Sequence, residues 1–222
     1  MIKHLKVFLI TVLITSCGSA KLQNKEPLYF IPENYVLYQK YDTDLNKDGI
    51  EDCILIIKNT KKEHVVVNRQ DKTVDRNRRG IIVLFKKKNT YQLVDRNIDC
   101  FYSENEDGGV YYAPQLSVET DDGDIILNYE HGRYGSWNYR FRFINDSYKL
   151  IEYNGTSLFG PITRSETIIN FLTKEKLFKE NINEDDEGND EIFKETKSII
   201  SIEQIIKLSE IKDFEDLDLS IY

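Results

Sequence analysis

The stretch Asp44-Leu45-Asn46-Lys47-Asp48-Gly49-Ile50-Glu51-Asp52 has the spacing D-x-N-x-D-G-x-x-D. Calcium is a hard cation that takes about six to eight oxygen ligands. Side chains at the first, third and fifth positions of a tight loop converge on one ion. Glycine at the sixth permits the sharp turn, and the backbone carbonyl of the seventh adds an oxygen. These positions assign Asp44, Asn46, Asp48 and the Ile50 carbonyl as ligands, with Asp52 ligating directly or through water. The alternative is an acidic loop of Asx turns that holds no ion. The EF-hand pattern needs a bidentate Glu at its twelfth position. Leu55 stands there, inside an apolar run, so this is not an EF-hand. Magnesium fits less well, because it prefers fewer protein ligands in near-ideal octahedral geometry.

A second group is His131-Gly132-Arg133-Tyr134-Gly135-Ser136-Trp137, which gathers a His, an Arg, a Tyr and the single Trp between two apolar stretches. His131, Arg133, Tyr134 and Trp137 form a candidate ligand loop that can stack a ring or hydrogen-bond an anion. The plainer reading is an aromatic-packed hairpin connection. Glu130 and Ser136 stand nearby, but sequence spacing alone fixes no catalytic geometry. The chain carries no Gly-x-Ser-x-Gly, Walker loop, His-Glu-x-x-His or paired Cys-x-x-Cys.

The N-terminus reads as an address. Lys3 and Lys6 precede an apolar stretch from Val7 to Ile14, too short for an ordinary transmembrane helix. Ile14-Thr15-Ser16-Cys17 then resembles the bacterial lipobox, in which a lipid is attached to the Cys and cleavage leaves it first. Residues 1–16 are thus expected to be a lipoprotein signal peptide, with Cys17 lipidated. Residues 17–27 read as the lipidated Cys and a polar tether, followed by one domain over 28–222. Gly18-Ser19 holds no acidic residue, which by known sorting rules favours the outer membrane. Cleavage before Cys17 removes two Lys, taking 222 residues of charge −8 to 206 residues of charge −10.

An acidic balance disfavours a nucleic-acid binder. Three His and three Cys, scattered along the chain, are too few for most zinc sites. With Cys17 used by the lipid, Cys53 and Cys100 remain in a compartment that permits a disulfide. Two adjacent strands can bring them within range, and the alternative is two separate buried thiols.

The elements that must position these groups are mostly strands. Val36–Tyr41 alternates, and Cys53–Ile57 and Ile81–Phe85 are continuous apolar runs. Residues 80–95 read as a hairpin. Asp121-Asp122-Gly123-Asp124 is a hairpin turn between Leu116–Glu119 and Ile125–Tyr129. Tyr139-Arg140-Phe141-Arg142-Phe143 alternates ring and guanidinium, and Tyr148–Tyr153 alternates again. Such spacing predicts a mainly β fold: an antiparallel sheet, a sandwich or a partly closed barrel. One short C-terminal helix is expected over Ser201–Leu208, where Ile202, Ile205 and Ile206 share a face. Residues 58–88 carry 11 Lys+Arg against Glu63, Asp71 and Asp75. They read as a long exposed loop between two strands, or as a contact for phosphate-rich lipid or an acidic partner. Residues 184–191 read as an acidic solvated loop.

Several stretches, in order, resemble a family of uncharacterised lipoproteins from Bacteroides-type Gram-negative bacteria. They are Asp44–Asp52, Asp75–Phe85, Gly108–Pro114, His131–Trp137, Ile168–Thr173 and Leu208–Asp216. The resemblance implies a single exported domain and carries over no activity or catalytic residue. The Asp44–Asp52 loop is similar to the calcium loops that lead into strands in FG-GAP and VCBS repeats, here in one copy. These readings predict a lipid-anchored cell-envelope lipoprotein acting as a non-enzymatic, calcium-stabilised binding module for an envelope protein or glycan. A toxin-immunity lipoprotein is a variant of that class. The rival is a hydrolase of envelope or glycan substrates that uses acids near the calcium loop or the His131 loop.

Overall fold

A computed structural model describes residues 22–108, 111–183, 190–217, 219 and 222. The signal peptide, Cys17 and residues 184–189 of the acidic loop lie outside these. Among the described residues the strands are β1 (Gln23–Asn24), β2 (Tyr35–Thr43), β3 (Asp52–Asn59), β4 (Val65–Val67), β5 (Thr73–Asp75), β6 (Arg79–Lys87), β7 (Thr90–Phe101), β8 (Asp107–Gly108), β9 (Tyr111–Tyr112), β10 (Gln115–Asp121), β11 (Asp124–Glu130), β12 (Gly135–Ile144), β13 (Ser147–Phe159), β14 (Ile162–Asn170), β15 (Glu175–Asn181) and β16 (Phe193–Ile199).

Two antiparallel sheets face each other. One is five-stranded, in the order β1-β7-β6-β3-β2, and the other runs β10 to β16 in sequence order. Ile54, Ile56, Ile81 and Val83 of the first pack against Ile125, Leu127, Tyr139, Phe141 and Leu150 of the second. Neither sheet closes on itself, so the architecture is a sandwich and not a barrel.

The continuous apolar runs have a simple cause. A strand covered on both faces has no solvent side to keep polar. Every residue of β3 is buried. Its second face, with Cys53, Leu55 and Ile57, joins Ile82 and Leu84 under Phe30, Ile31 and Tyr35. The N-terminal segment crosses there from β1 at one sheet edge to β2 at the other. The fold therefore begins before residue 28. Gln23 and Asn24 pair with Gln92 and Tyr91, so part of the expected tether is strand.

Turn chemistry follows the sequence. Asp122 and Gly123 both have positive φ between the paired Asp121 and Asp124, as a two-residue hairpin turn requires. Asn145 and Asp146 do the same between β12 and β13.

The expected helix over Ser201–Leu208 does not form. The structure has only a 3-10 turn at Leu208–Glu210. Residues 200–217 instead run as an irregular plug at the end of the sandwich. Ile206 O accepts Leu150 N–H at 2.9 Å, and Asn97 Nδ2 donates to the carbonyls of Leu208 and Ile211. Phe214 packs against Phe101, Tyr139 and Phe141. The three Ile residues meet the core from an irregular, non-helical backbone, which frees β-branched side chains from the crowding of a helical turn.

The basic stretch is also not a long exposed loop. β4 and β5 fold back on each other. Lys58 is ion-paired to Asp75 and Glu104, Arg76 to Asp107 and Arg78 to Asp213. Part of its charge is thus consumed inside the molecule.

Candidate functional site

The Asp44–Asp52 loop precedes β3 and is built as nested Asx turns. Asp44 Oδ2 accepts Gly49 N–H at 2.9 Å. Asp44 Oδ1 and Asn46 Oδ1 both accept Asp48 N–H, at 3.2 and 3.0 Å, and Asp48 Oδ1 accepts Ile50 N–H at 2.9 Å. Lys47 and Gly49 take positive φ to make the turn. Three of the predicted ligand side chains therefore crowd around three consecutive amides, those of Asp48, Gly49 and Ile50, with carboxylate lone pairs left over. Asp52 is placed differently. It is fully buried. Oδ2 accepts Leu45 and Asn46 N–H, and Oδ1 accepts Asn46 Nδ2 and Lys86 N–H. Both of its oxygens are saturated by N–H donors, so Asp52 ties the loop to β6 and is not free to ligate. Among the described residues, no three His, Cys, Asp or Glu side chains gather as a metal cluster. The donor set that fits a calcium ion is Asp44, Asn46, Asp48 and the Ile50 carbonyl.

Cys53 and Cys100 are free and buried. Cys53 belongs to the face under the N-terminal segment and Cys100 to the core between the sheets. They point to opposite sides of one sheet, and no disulfide can join them in this fold. Burial pushes the Cys53 thiol up to about 12 and raises the Cys100 thiol well above its ordinary range, so both are inert as nucleophiles.

The His131 loop contributes to a cleft of about 690 Å³ at the opposite end of β6 and β7 from the Asp44–Asp52 loop. β11 ends at Glu130, and a 3-10 turn over Gly132–Tyr134 returns the chain to β12. His131 N–H donates to Gly135 O at 2.9 Å and closes the turn. Gly135 has φ +123°, and a Cβ there would collide with the Thr156 carbonyl, so only glycine lets β12 start against β13. The His131 and Tyr134 rings stand 4.7 Å apart at the cleft. Arg133 and Trp137 do not line it. Arg133 lies toward Gly160, and Trp137 stacks on buried Tyr129 at 5.2 Å.

The facing wall was not anticipated. Tyr102 and Ser103 follow β7, Arg76 precedes β6, and Glu215 and Asp216 come from the C-terminal plug. Arg76 is held by Asp107 at 2.8 Å. Ser103 Oγ donates to Glu106 Oε1, and the Tyr102 hydroxyl donates to Asp216 Oδ2 at 2.8 Å. Glu215 Oε1 accepts Tyr102 N–H at 3.1 Å. Burial and neighbouring Asp213 raise the Glu215 carboxyl to about 7.

Three buried polar atoms of the cleft lining lack a hydrogen-bond partner among the described residues: Glu215 Oε2, His131 Nε2 and Arg76 Nη2, the last still ion-paired to Asp107; the Tyr129 hydroxyl, behind the lining, is also unpartnered. Burial, then the Glu215 charge, raises the Tyr129 hydroxyl far above its ordinary range. Leaving such an atom unpaired costs about 1–3 kcal/mol. No sequence signal marks Glu215, one acid in the run Asp213-Phe214-Glu215-Asp216. The chain matches no protein-family model, no curated protein and no solved structure.

Proposed function

We propose that this chain is a lipid-anchored lipoprotein of the cell envelope, held at the outer membrane through Cys17, and that its β-sandwich is a non-enzymatic, calcium-stabilised binding module. Its ligand, an envelope glycan or protein segment, enters the cleft beside His131 and Glu215. The observation that carries this reading is that two buried polar atoms without a hydrogen-bond partner, Glu215 Oε2 and His131 Nε2, line one cleft. A fold tolerates that cost where a ligand supplies the missing partners. The cleft volume lies in the range of about 300–1,000 Å³ that suits small ligands. The ordered n-region, apolar stretch and Ile14-Thr15-Ser16-Cys17 support the anchor, and the crowded oxygens of Asp44, Asn46 and Asp48 support the ion.

The rival hydrolase reading draws on Glu215, whose carboxyl titrates near 7 in a cleft that also holds His131. One experiment separates the two. Trp137 is the single tryptophan, and it stacks on Tyr129 behind the cleft. Its fluorescence is followed while soluble fragments of envelope glycans and envelope proteins are added, with product analysis alongside. The module predicts a saturable change without turnover, lost in His131→Ala. Turnover that disappears in Glu215→Gln establishes the hydrolase instead. The absence of both overturns the assignment of the cleft.

A further inference from the structure

We infer that the group recognised in this cleft is a primary ammonium, carried on an amino sugar or on a lysine-type side chain. The inference rests on the reading of the cleft as a ligand site. Its first ground is the sign of the lining. Glu106, Asp107, Glu215 and Asp216 face the cleft, and Arg76 is the one Lys or Arg side chain lining it. That guanidinium is already ion-paired to Asp107 and lies near Glu106. An anionic ligand would meet four carboxylates, and the one cation beside them, whose Nη2 lacks a hydrogen bond, is already neutralised by Asp107.

The unpaired atoms give the second ground. Glu215 Oε2 is an acceptor when ionised, and His131 Nε2 is an acceptor when the imidazole is neutral with its proton on Nδ1. A primary ammonium brings three donors and no acceptor, which complements such a pair. A guanidinium fits less well. Its planar fork wants both oxygens of one carboxylate, and Glu215 Oε1 is already taken by the Tyr102 amide.

Aromatic walls are the third ground. The His131 and Tyr134 rings at the cleft offer π faces to a cation and flat apolar surface to its carrier. Tyr102 already holds the Arg78 guanidinium 4.7 Å from its ring, so this corner of the fold is suited to cations.

The test uses the full exported chain with Cys17→Ala and two matched pairs of probes. One pair is a glucosamine tetramer and its N-acetylated form; the other is lysine amide and its Nε-acetyl form. Calorimetry should show at least tenfold tighter binding of the free amine within one pair, and the pair that responds identifies the carrier. Glu215→Gln, which retains an oxygen for the Tyr102 amide, should weaken the amine by tenfold or more. It should leave the acetylated probe, and the melting temperature near pH 4, nearly unchanged. Asp216→Asn provides a second variant. Equal or tighter binding of the acetylated probe overturns the ammonium inference while leaving the site intact. So does silence from all four probes when another envelope fragment displaces the Trp137 signal. Silence from every ligand class removes the site itself and the inference with it.

Discussion

Asp52 Oδ1 accepts the backbone N–H of Lys86 at 2.7 Å, across from the loop that the same carboxylate closes through Leu45 and Asn46. One buried side chain thus joins the entry of β3 to the end of β6. Removing it strands several buried donors at once. Asp52→Ala should cost about 3 kcal/mol or more, read as a lower urea midpoint. Asp52→Asn keeps one acceptor oxygen and should cost less.

Calcium acts on different atoms of the same loop. If Asp44, Asn46 and Asp48 hold the ion, melting in excess calcium should exceed melting in chelator. Saturation at a hundred times Kd contributes about 2.7 kcal/mol, or roughly 5–10 °C for a chain of this size. Asp44→Asn or Asp48→Asn should abolish the difference while barely changing the chelated protein. Asp52→Asn should lower both curves. No difference at millimolar calcium removes the ion from the proposal.

Glu215 gives a pH dependence of defined sign. Its folded carboxyl titrates near 7, above the ordinary 4.5. Between those values the folded chain keeps a proton that the unfolded chain has released. The contribution of this group to stability therefore falls as pH rises through that window. Glu215→Gln should match the natural chain near pH 4 and exceed it by about 1–3 kcal/mol at pH 8. Thermal melts across pH 4–8 read the crossing directly, and a constant offset between the two proteins would contradict it.

Asp124 titrates in the other direction. Its carboxylate, nearly fully buried, accepts Arg140 Nε and a two-point grip from Arg142. Burial alone would raise its carboxyl, but hydrogen bonds and charge from Arg142 and Arg140 outweigh it and lower the net value. The stabilisation is present above the unfolded pKa and is lost as pH falls through the folded one. Asp124→Asn should cost about 2–3 kcal/mol at pH 7 and flatten the acid limb of the melting curve.

Cys53 and Cys100, on opposite faces of the first sheet, should ignore each other chemically. A Cys17→Ala chain should bind no maleimide when native and two when denatured without reductant. Protection of both thiols in denaturant would mean a bridge and a different packing of β3 on β7.

The strand pattern, the two tight hairpin turns and the loop around Gly49 were legible because local chemistry decides them. A period of two, or an Asp-Gly pair, needs no distant partner. The Ser201–Leu208 helix failed because its apolar spacing equally satisfies an irregular plug, and Asn97 and Leu150 supply the backbone partners that settle it. Asp52 looked like a ligand because spacing cannot say whether a carboxylate faces an ion or four N–H groups. His131 and Tyr134 were visible as a loop; Tyr102 and Glu215 were not. They reach the cleft from strand and plug segments far apart in sequence, and no pattern along the chain reports such a meeting.

β7 runs 12 residues, from Thr90 beside β1 to Phe101 at the cleft. A strand of that length measures roughly 40 Å. Only residues 18–21 separate Cys17 from Leu22, whose carbonyl already accepts Leu93 N–H. Those few links reach at most about 17 Å. A chain acylated at Cys17 would be tethered at the Thr90 end of β7 and, standing upright on that tether, would carry its cleft at the far end of the strand, up to about 40 Å beyond its root. Such a standoff favours polymers and proteins that cross the space above the membrane over the headgroups at its foot.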